Sequence, residues 1–214
     1  VTIPMKTITK KINGQTFIFD FRKLVYWEEK SSLILSDVHI GKITHFRKNG
    51  ISLPSFPALN NLNTLKSAIQ DYNPKEVIFL GDLFHSEYNS EWEEWLTFFK
   101  SLKLSFTLVI GNHDLIKFKL KGLKILKYML RENLYFSHYP IDNLENFNFC
   151  GHIHPSFIVK GIGKQKIKLP CFYLSKTHLI FPSFGEFTGT HNMKLKNIED
   201  EIFLLSKERI FKLN

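Results

Sequence analysis

Five short motifs place histidine, aspartate and asparagine side chains at spacings that suit metal binding. They are SDVH from Ser36, GDLFH from Gly81, GNHD from Gly111, SHYP from Ser137 and GHIH from Gly151. Side chains at positions i and i+2 of an extended chain point the same way. The spacing therefore predicts two pairs of neighbouring ligands, Asp37 with His39 and His152 with His154.

The types of ligand limit the metal. Carboxylate, imidazole and amide groups without a thiolate cluster favour Mn²⁺, Fe²⁺ or Zn²⁺. The motifs hold more ligands than one ion needs, so we expect two divalent ions, with Mn²⁺ as the leading expectation and Fe²⁺ or Zn²⁺ as alternatives. A two-metal site generates hydroxide at neutral pH and stabilises an in-line displacement at phosphorus.

Apolar segments precede the motifs and predict the elements that position them. Strands are expected at residues 15–21, 23–28, 33–36, 76–80 and 104–110, and helices at 59–70, 91–100 and 120–130. From residue 134 onwards, short strands alternate with turns. Because ligands bind beyond the carboxyl ends of strands in open α/β sheets, we expect the motifs to converge there.

No repeat or linker divides the chain, so we expect residues 1–214 to form one α/β domain with two packed sheets. We expect Met5 to be the native first residue and residues 1–4 to derive from cloning. The longest apolar runs are too short to cross a bilayer. Two cysteines make no disulfide framework in a chain of 214 residues, which favours a reducing cytoplasm.

The charge of the chain points to an anionic partner. Lysine and arginine number 29 and aspartate and glutamate 20, a formal net charge of +9. Such an excess favours encounter with nucleic acid or another polyanion and says nothing about the fold.

The order D-x-H, G-D, G-N-H-D, H and G-H-x-H between Asp37 and His154 resembles the calcineurin-like metallophosphoesterase superfamily. The resemblance implies a four-layer αββα sandwich of two mixed sheets flanked by helices, with the site at one end of the sheets. It also implies hydrolysis by in-line attack of a hydroxide that bridges two metals.

The same resemblance assigns roles to individual residues. It implies that the first metal is held by Asp37, His39 and His154, the second by Asn112, His138 and His152, and both by Asp82. His113 would stabilise the phosphoryl oxygens or protonate the leaving alkoxide, and Asn112 would also contact substrate. Asp114 is a candidate partner for His113.

The sequence GDLFH resembles DNA double-strand-break nucleases, which suggests that His85 lies near His113 and helps to place a nucleic-acid backbone. The alternative is that His85 caps the helix starting near Ser90 or forms a local hydrogen bond. From residue 17 to 189, including HFRK and FPSFGEFTG, the chain is more similar to the bacterial DNA-ligase-associated metallophosphoesterases. That family implies a phosphodiesterase or endonuclease that works with DNA-repair enzymes.

Two further segments carry candidate substrate contacts. The segment Lys42–Lys48 is predicted to be a basic loop in which His45, Arg47 and Lys48 meet substrate phosphates, with a solvated loop as the alternative. The second segment offers aromatic rings that would form a groove wall, stack on bases, close a dimer or pack in the core: Phe181, Phe184 and Phe187.

The leading hypothesis is a Mn²⁺-dependent phosphodiesterase, and more narrowly a nuclease, that acts on DNA. A second hypothesis is hydrolysis of a small phosphodiester, a cyclic nucleotide or a phosphomonoester, because the metal ligands serve all of these esters. A third is a non-catalytic, metal-bound partner of a ligase or nuclease. The sequence leaves the mode of cleavage and the oligomeric state open.

Overall fold

The structure is a computed structural model that describes residues 5–48, 50, 56–85, 88–114, 122–161, 163, 165–186 and 188–213, without the side chains of residues 48 and 56–59. The helices are α1 (Lys42–Lys48), α2 (Phe56–Tyr72) and α3 (Ser90–Ser101), with a 3-10 turn at Glu28–Lys30. The strands of the first half are β1 (Thr7–Ile12), β2 (Gln15–Asp20), β3 (Leu24–Trp27), β4 (Ser32–Leu35), β5 (Glu76–Leu80) and β6 (Ser105–Val109). Those of the second half are β7 (Leu123–Leu126), β8 (Met129–Arg131), β9 (Leu134–Phe136), β10 (Phe147–Cys150), β11 (Pro155–Lys160), β12 (Lys166–Leu174), β13 (His178–Ile180), β14 (His191–Asn192), β15 (Glu201–Leu205) and β16 (Ile210–Leu213).

The strands form two mixed sheets. The first has the order β1-β2-β3-β4-β5-β6-β7 and changes from antiparallel to parallel at β4. The second has the order β14-β11-β12-β13-β10-β9-β8, with β15 and β16 attached to β12. In it β9, β10 and β13 run parallel. The central strands β4 and β5 are continuous apolar runs because helices and a second sheet cover their two faces.

The main core lies between the two sheets. Aromatic rings dominate it, and the rings of Phe17 and Phe149, from different sheets, lie 4.9 Å apart. Helices α2 and α3 cover the outer face of the first sheet, with Trp92 and Trp95 among their buried side chains. The predicted α/β sandwich of two mixed sheets is confirmed. No described helix has the length and hydropathy needed to cross a membrane.

The outer face of the second sheet holds a smaller apolar cluster. Its members include Cys150 and Cys171, which are buried and free. Strand residues such as Phe157 and Val159 pack against this cluster, and the described part of the second half contains no helix there.

One predicted helix is wrong. Residues 120–130 were expected to form an amphipathic helix, but β7 and β8 occupy the described part from residue 122. β7 pairs in parallel with β6 and β8 pairs antiparallel with β9, so the backbone hydrogen bonds of this segment go to neighbouring strands. Sheet pairing therefore overrides the helical spacing of the leucines. Residues 120 and 121 lie outside the described chain.

Candidate metal centre

The five motifs lie at the carboxyl ends of neighbouring strands. SDVH, GDLFH and GNHD follow β4, β5 and β6, which are adjacent and parallel, so these motifs meet at one edge of the first sheet. SHYP and GHIH follow β9 and β10, which are parallel neighbours in the second sheet. The ring of His138 spans the two sheets, with Nδ1 3.0 Å from the carbonyl oxygen of Leu80.

Six of the predicted ligands form two groups, and within each group the ligand atoms lie within 4.8 Å of one another. They are Asp37 with His39 and His154, and Asp82 with His138 and His152. The seventh predicted ligand joins the second group, since Asn112 Oδ1 lies 3.2 Å from His138 Nε2. The role of Asp82 as the ligand shared by two ions stays a prediction.

The donor atoms of the first group fit a cation. Asp37 Oδ1, His154 Nε2 and both ring nitrogens of His39 are buried and have no hydrogen-bond partner. His154 Nε2 lies 3.1 Å from Asp37 Oδ1. Buried polar atoms without a partner are costly, and one divalent ion would satisfy Asp37 Oδ1, His154 Nε2 and one ring nitrogen of His39 together. Burial above all lowers the pKa of His39 to about 2, which keeps the imidazole in the neutral form that binds metal.

The backbone at the ligands is strained. Five of the seven predicted ligands have the positive φ that L-residues rarely adopt: Asp37 (+55°), His39 (+54°), Asp82 (+49°), His152 (+66°) and His154 (+50°). Such strain persists where the surrounding structure enforces it, and it concentrates at functional sites.

The segment FPSFGEF holds the first ligand in place. Ser183 Oγ donates a hydrogen bond of 2.9 Å to the carbonyl oxygen of Asp37, and Gly185 N donates one of 3.0 Å to the same oxygen. Phe181 and Phe184 are buried, as expected if these two rings pack in the core. Phe187 lies outside the described residues.

Ser36 and Tyr139 contact predicted ligands, and the sequence had given neither a role. Ser36 Oγ donates to Asp37 Oδ2 at 2.5 Å. Tyr139 OH donates to Asn112 Oδ1 at 3.0 Å, and its ring centroid lies 4.4 Å from that of His152. Both residues stand inside motifs, next to a ligand, and this position is the one signal that could have revealed them.

Gly111 makes room for Asp82. A Cβ at this position would lie 2.3 Å from Asp82 Oδ1 and 2.5 Å from the backbone nitrogen of Asp82. We expect Gly111→Ala to displace this carboxylate and to weaken Mn²⁺ binding about 10- to 100-fold, as changes around metal ligands do. Calorimetric titration would measure it. Gly189→Ala, whose Cβ meets nothing within 4 Å, is the control, and equal affinities in the two variants would contradict the expectation.

His85 and His113 lie together beside the first group of ligands. Their ring centroids are 4.7 Å apart, and that of His85 is 5.2 Å from His39. Burial, with a further contribution from Lys42, lowers the pKa of His85 to about 4. The capping alternative for His85 is wrong, because Asn89 caps α3 by accepting a hydrogen bond from the backbone of Glu91.

Asp114 contacts backbone and not the ring of a histidine. Its carboxylate accepts hydrogen bonds from Phe84 N at 3.0 Å and from Gly111 N at 2.8 Å, so it ties GDLFH to GNHD. Burial raises its pKa to about 6. His113 is held by a different bond, from its backbone nitrogen to Asp82 Oδ1 at 2.9 Å. The expected pairing of Asp114 with the His113 side chain is absent from these contacts.

The predicted basic loop is helix α1. Glu91 of α3 accepts hydrogen bonds from Gly41 N at 2.9 Å and from Thr44 N at 2.6 Å, so a carboxylate binds the amino-terminal turn of α1. This tertiary contact stabilises α1 as a helix. His45 and Arg47 are exposed on α1, and the His45 ring centroid is 6.0 Å from that of His85. The side chain of Lys48 lies outside the described part.

Glu91 therefore orients the helix that carries the candidate phosphate contacts. We expect Glu91→Gln to raise the KM for DNA about ten-fold, since hydrogen bonds to a charged acceptor are worth about 1.5 to 3 kcal/mol each. The turnover of a small dye ester, which does not reach α1, should stay unchanged. Glu94→Gln, at an exposed position of the same helix, is the control. Equal KM values for the two variants would show that α1 does not bind DNA.

Comparison with known proteins supports the class of the protein. The family model described as calcineurin-like phosphoesterase matches residues 31–194. Among solved structures, Pseudomonas putida nuclease MPE has a TM-score of 0.83 at 23% identity, covering 97% of this chain and 100% of that one. The E. coli phosphoesterase YfcE has a TM-score of 0.38 at 16% identity, covering 85% and 97%. A search of curated proteins gives no match.

The chain belongs to the calcineurin-like phosphoesterase family, because the family model covers more than half of it and includes all five motifs. The family assignment and the paired ligand groups define a metal-dependent phosphoesterase. The resemblance predicted from the order of the motifs is thereby confirmed at the level of the superfamily.

Proposed function

We propose that the protein is a Mn²⁺-dependent phosphodiesterase that cleaves DNA. The observation that carries this proposal is the presence of two groups of carboxylate and imidazole side chains beside the rings of His85 and His113. Within each group the ligand atoms lie within 4.8 Å of one another. In this proposal Asp37, His39 and His154 hold one ion and Asn112, His138 and His152 hold the other, with Asp82 shared between them. When bound, two such ions supply hydroxide at neutral pH and polarise the phosphoryl group.

The residues of the chain divide the remaining work. Asp82 fixes His113 through the hydrogen bond to its backbone, so the His113 ring keeps its place beside the ligands. His113 stabilises the phosphoryl oxygens or gives a proton to the leaving oxygen. His85, packed between His113 and His45, forms the side of the site that leads to α1.

Three observations favour DNA as the substrate. The chain carries a net charge of +9, and α1 presents exposed His45 and Arg47 next to the site. The solved structure that shares the fold at a TM-score of 0.83 is described as a nuclease. The resemblance of residues 17–189 to DNA-ligase-associated metallophosphoesterases adds a role beside DNA-repair enzymes, and the two free cysteines favour the cytoplasm as its location. The choice of Mn²⁺ rests on the mixed oxygen and nitrogen donors.

The test is hydrolysis by the Mn²⁺-loaded protein of single-stranded DNA, duplex DNA and bis-p-nitrophenyl phosphate, each repeated after removal of metal with EDTA. We expect DNA cleavage that depends on metal and weakens as salt rises, because contacts with the phosphate backbone release counterions. Turnover of the dye without cleavage of either DNA would reject the proposed substrate and point to small phosphodiesters.

A further inference from the structure

The positive charge of the chain is concentrated around the GHIH motif. Residues 146–198 contain seven lysines and one acidic residue, Glu186, a net charge of +6 out of the chain's +9. This quarter of the chain includes β11, β12 and β14, which are neighbours in the order β14-β11-β12. Three of the seven lysines lie in β11 and β12, namely Lys160, Lys166 and Lys168. Lysines clustered on one face are the pattern of a surface that binds a polyanion.

The hairpin of β11 and β12 extends beyond the body of the second sheet. β12 pairs with β15 only from Cys171 onwards, and its residues 166–170 pair with β11 alone. β11 begins directly after His154, and at about 3.3 Å per residue the six steps from His154 to Lys160 span roughly 20 Å. The hairpin therefore projects from the end of the sandwich where the candidate metal centre lies.

Three lysines share one face of this hairpin. Lys160 and Lys166 are directly opposite each other across the two strands, and Lys168 is two residues farther along β12. All three are exposed, and no ion pair between described residues involves any of them. Like charges directly opposite each other destabilise a sheet, so an anionic ligand is the simplest group that would stabilise this arrangement.

The lysine face is connected to the candidate metal centre. Lys168 Nζ donates a hydrogen bond of 2.8 Å to the carbonyl oxygen of Thr190, and the preceding carbonyl, that of Gly189, lies 2.9 Å from His154 Nδ1. The backbone of His191 in turn donates to the carbonyl oxygen of His154. These hydrogen bonds place β14 and the hairpin directly beside His154.

We propose that the hairpin face formed by Lys160, Lys166 and Lys168 binds the phosphate backbone of the substrate DNA beyond His154. This inference rests on the proposed function, and it adds a second contact surface to that of α1. The surface recognises the backbone and not the bases, because lysines bind phosphates as point charges without reading sequence.

The test compares two double variants with the same change of charge. Lys160→Gln with Lys166→Gln removes two of the three positive charges of the hairpin face, and Lys103→Gln with Lys124→Gln removes two exposed lysines from the first-sheet side. Binding of a labelled single-stranded oligonucleotide is measured by fluorescence anisotropy in EDTA, so that hydrolysis cannot change the ligand. Turnover of bis-p-nitrophenyl phosphate with Mn²⁺ is measured in parallel.

We expect the hairpin variant to bind DNA about ten-fold more weakly than the wild type. The slope of log K against the logarithm of the salt concentration should become shallower by about 1.4, at roughly 0.7 for each of two lost phosphate contacts. The control variant should keep the wild-type slope, and both should turn over the dye normally. Equal slopes in the two variants would overturn the hairpin proposal. If the wild-type protein bound DNA but showed no metal-dependent cleavage, the nuclease function would be rejected, whereas the hairpin would still be supported as a DNA-binding surface.

Discussion

Asp82→Asn is expected to lower the rate of DNA hydrolysis at least about 10³-fold, or roughly 4 kcal/mol of transition-state stabilisation. Asp82 Oδ2 lies 3.5 Å from His138 Nε2, inside the second group of ligands, and Oδ1 accepts the backbone hydrogen bond of His113. Asparagine keeps the shape and one oxygen, so the fold and that hydrogen bond should persist. The lost charge should remove metal binding, because a buried carboxylate is what favours a second divalent cation so close to the first.

The measurement combines turnover with a titration of bound Mn²⁺. We expect the wild type to bind two ions per chain and the Asp82 variant to bind fewer, with little change in melting temperature of the metal-free protein. Asp71→Asn makes the same chemical change at an exposed carboxylate that pairs with Arg22, and it should leave hydrolysis intact. If Asp82→Asn retained a tenth or more of the wild-type rate, the predicted shared ligand would be wrong.

The convergence of the predicted ligands could be inferred from the sequence because it depends on topology. Three of the motifs follow strands that the apolar runs mark clearly, such as β5, and parallel neighbours bring their ends together. The order of the motifs then separated this chain from proteins with isolated histidines. Neither step required knowledge of side-chain packing.

The contacts that complete the site were not predictable in the same way. The hydrogen bonds from Gly41 and Thr44 to Glu91 join residues about 50 positions apart, and they convert an expected loop into α1. The left-handed turn at Asp37 is imposed by partners such as Ser183, which is distant in sequence. The turn between β1 and β2 differs in this respect, because the dipeptide Asn13-Gly14, with positive φ at both residues, is a local hairpin signal.

His113→Gln is expected to slow DNA cleavage about 10²- to 10⁴-fold, the range for a positioned acid or base. The residue lies outside both groups of ligand atoms, so the variant should still bind two Mn²⁺ ions. This separates it from Asp82→Asn, in which metal binding and hydrolysis fail together. His178→Gln is the matched control, because the ring of His178 contacts Thr177 and the carbonyl oxygen of Ile141, away from the candidate metal centre.

The leaving group decides between the two roles open to His113. The alkoxide released from DNA needs a proton, whereas p-nitrophenolate leaves without one. If His113 is the acid, His113→Gln should slow hydrolysis of the dye ester far less than cleavage of DNA, because only the leaving group of DNA needs a proton. If the ring instead stabilises the phosphoryl oxygens, both substrates should slow by the same factor, because that charge develops in both reactions. Unchanged rates on both would remove His113 from the mechanism.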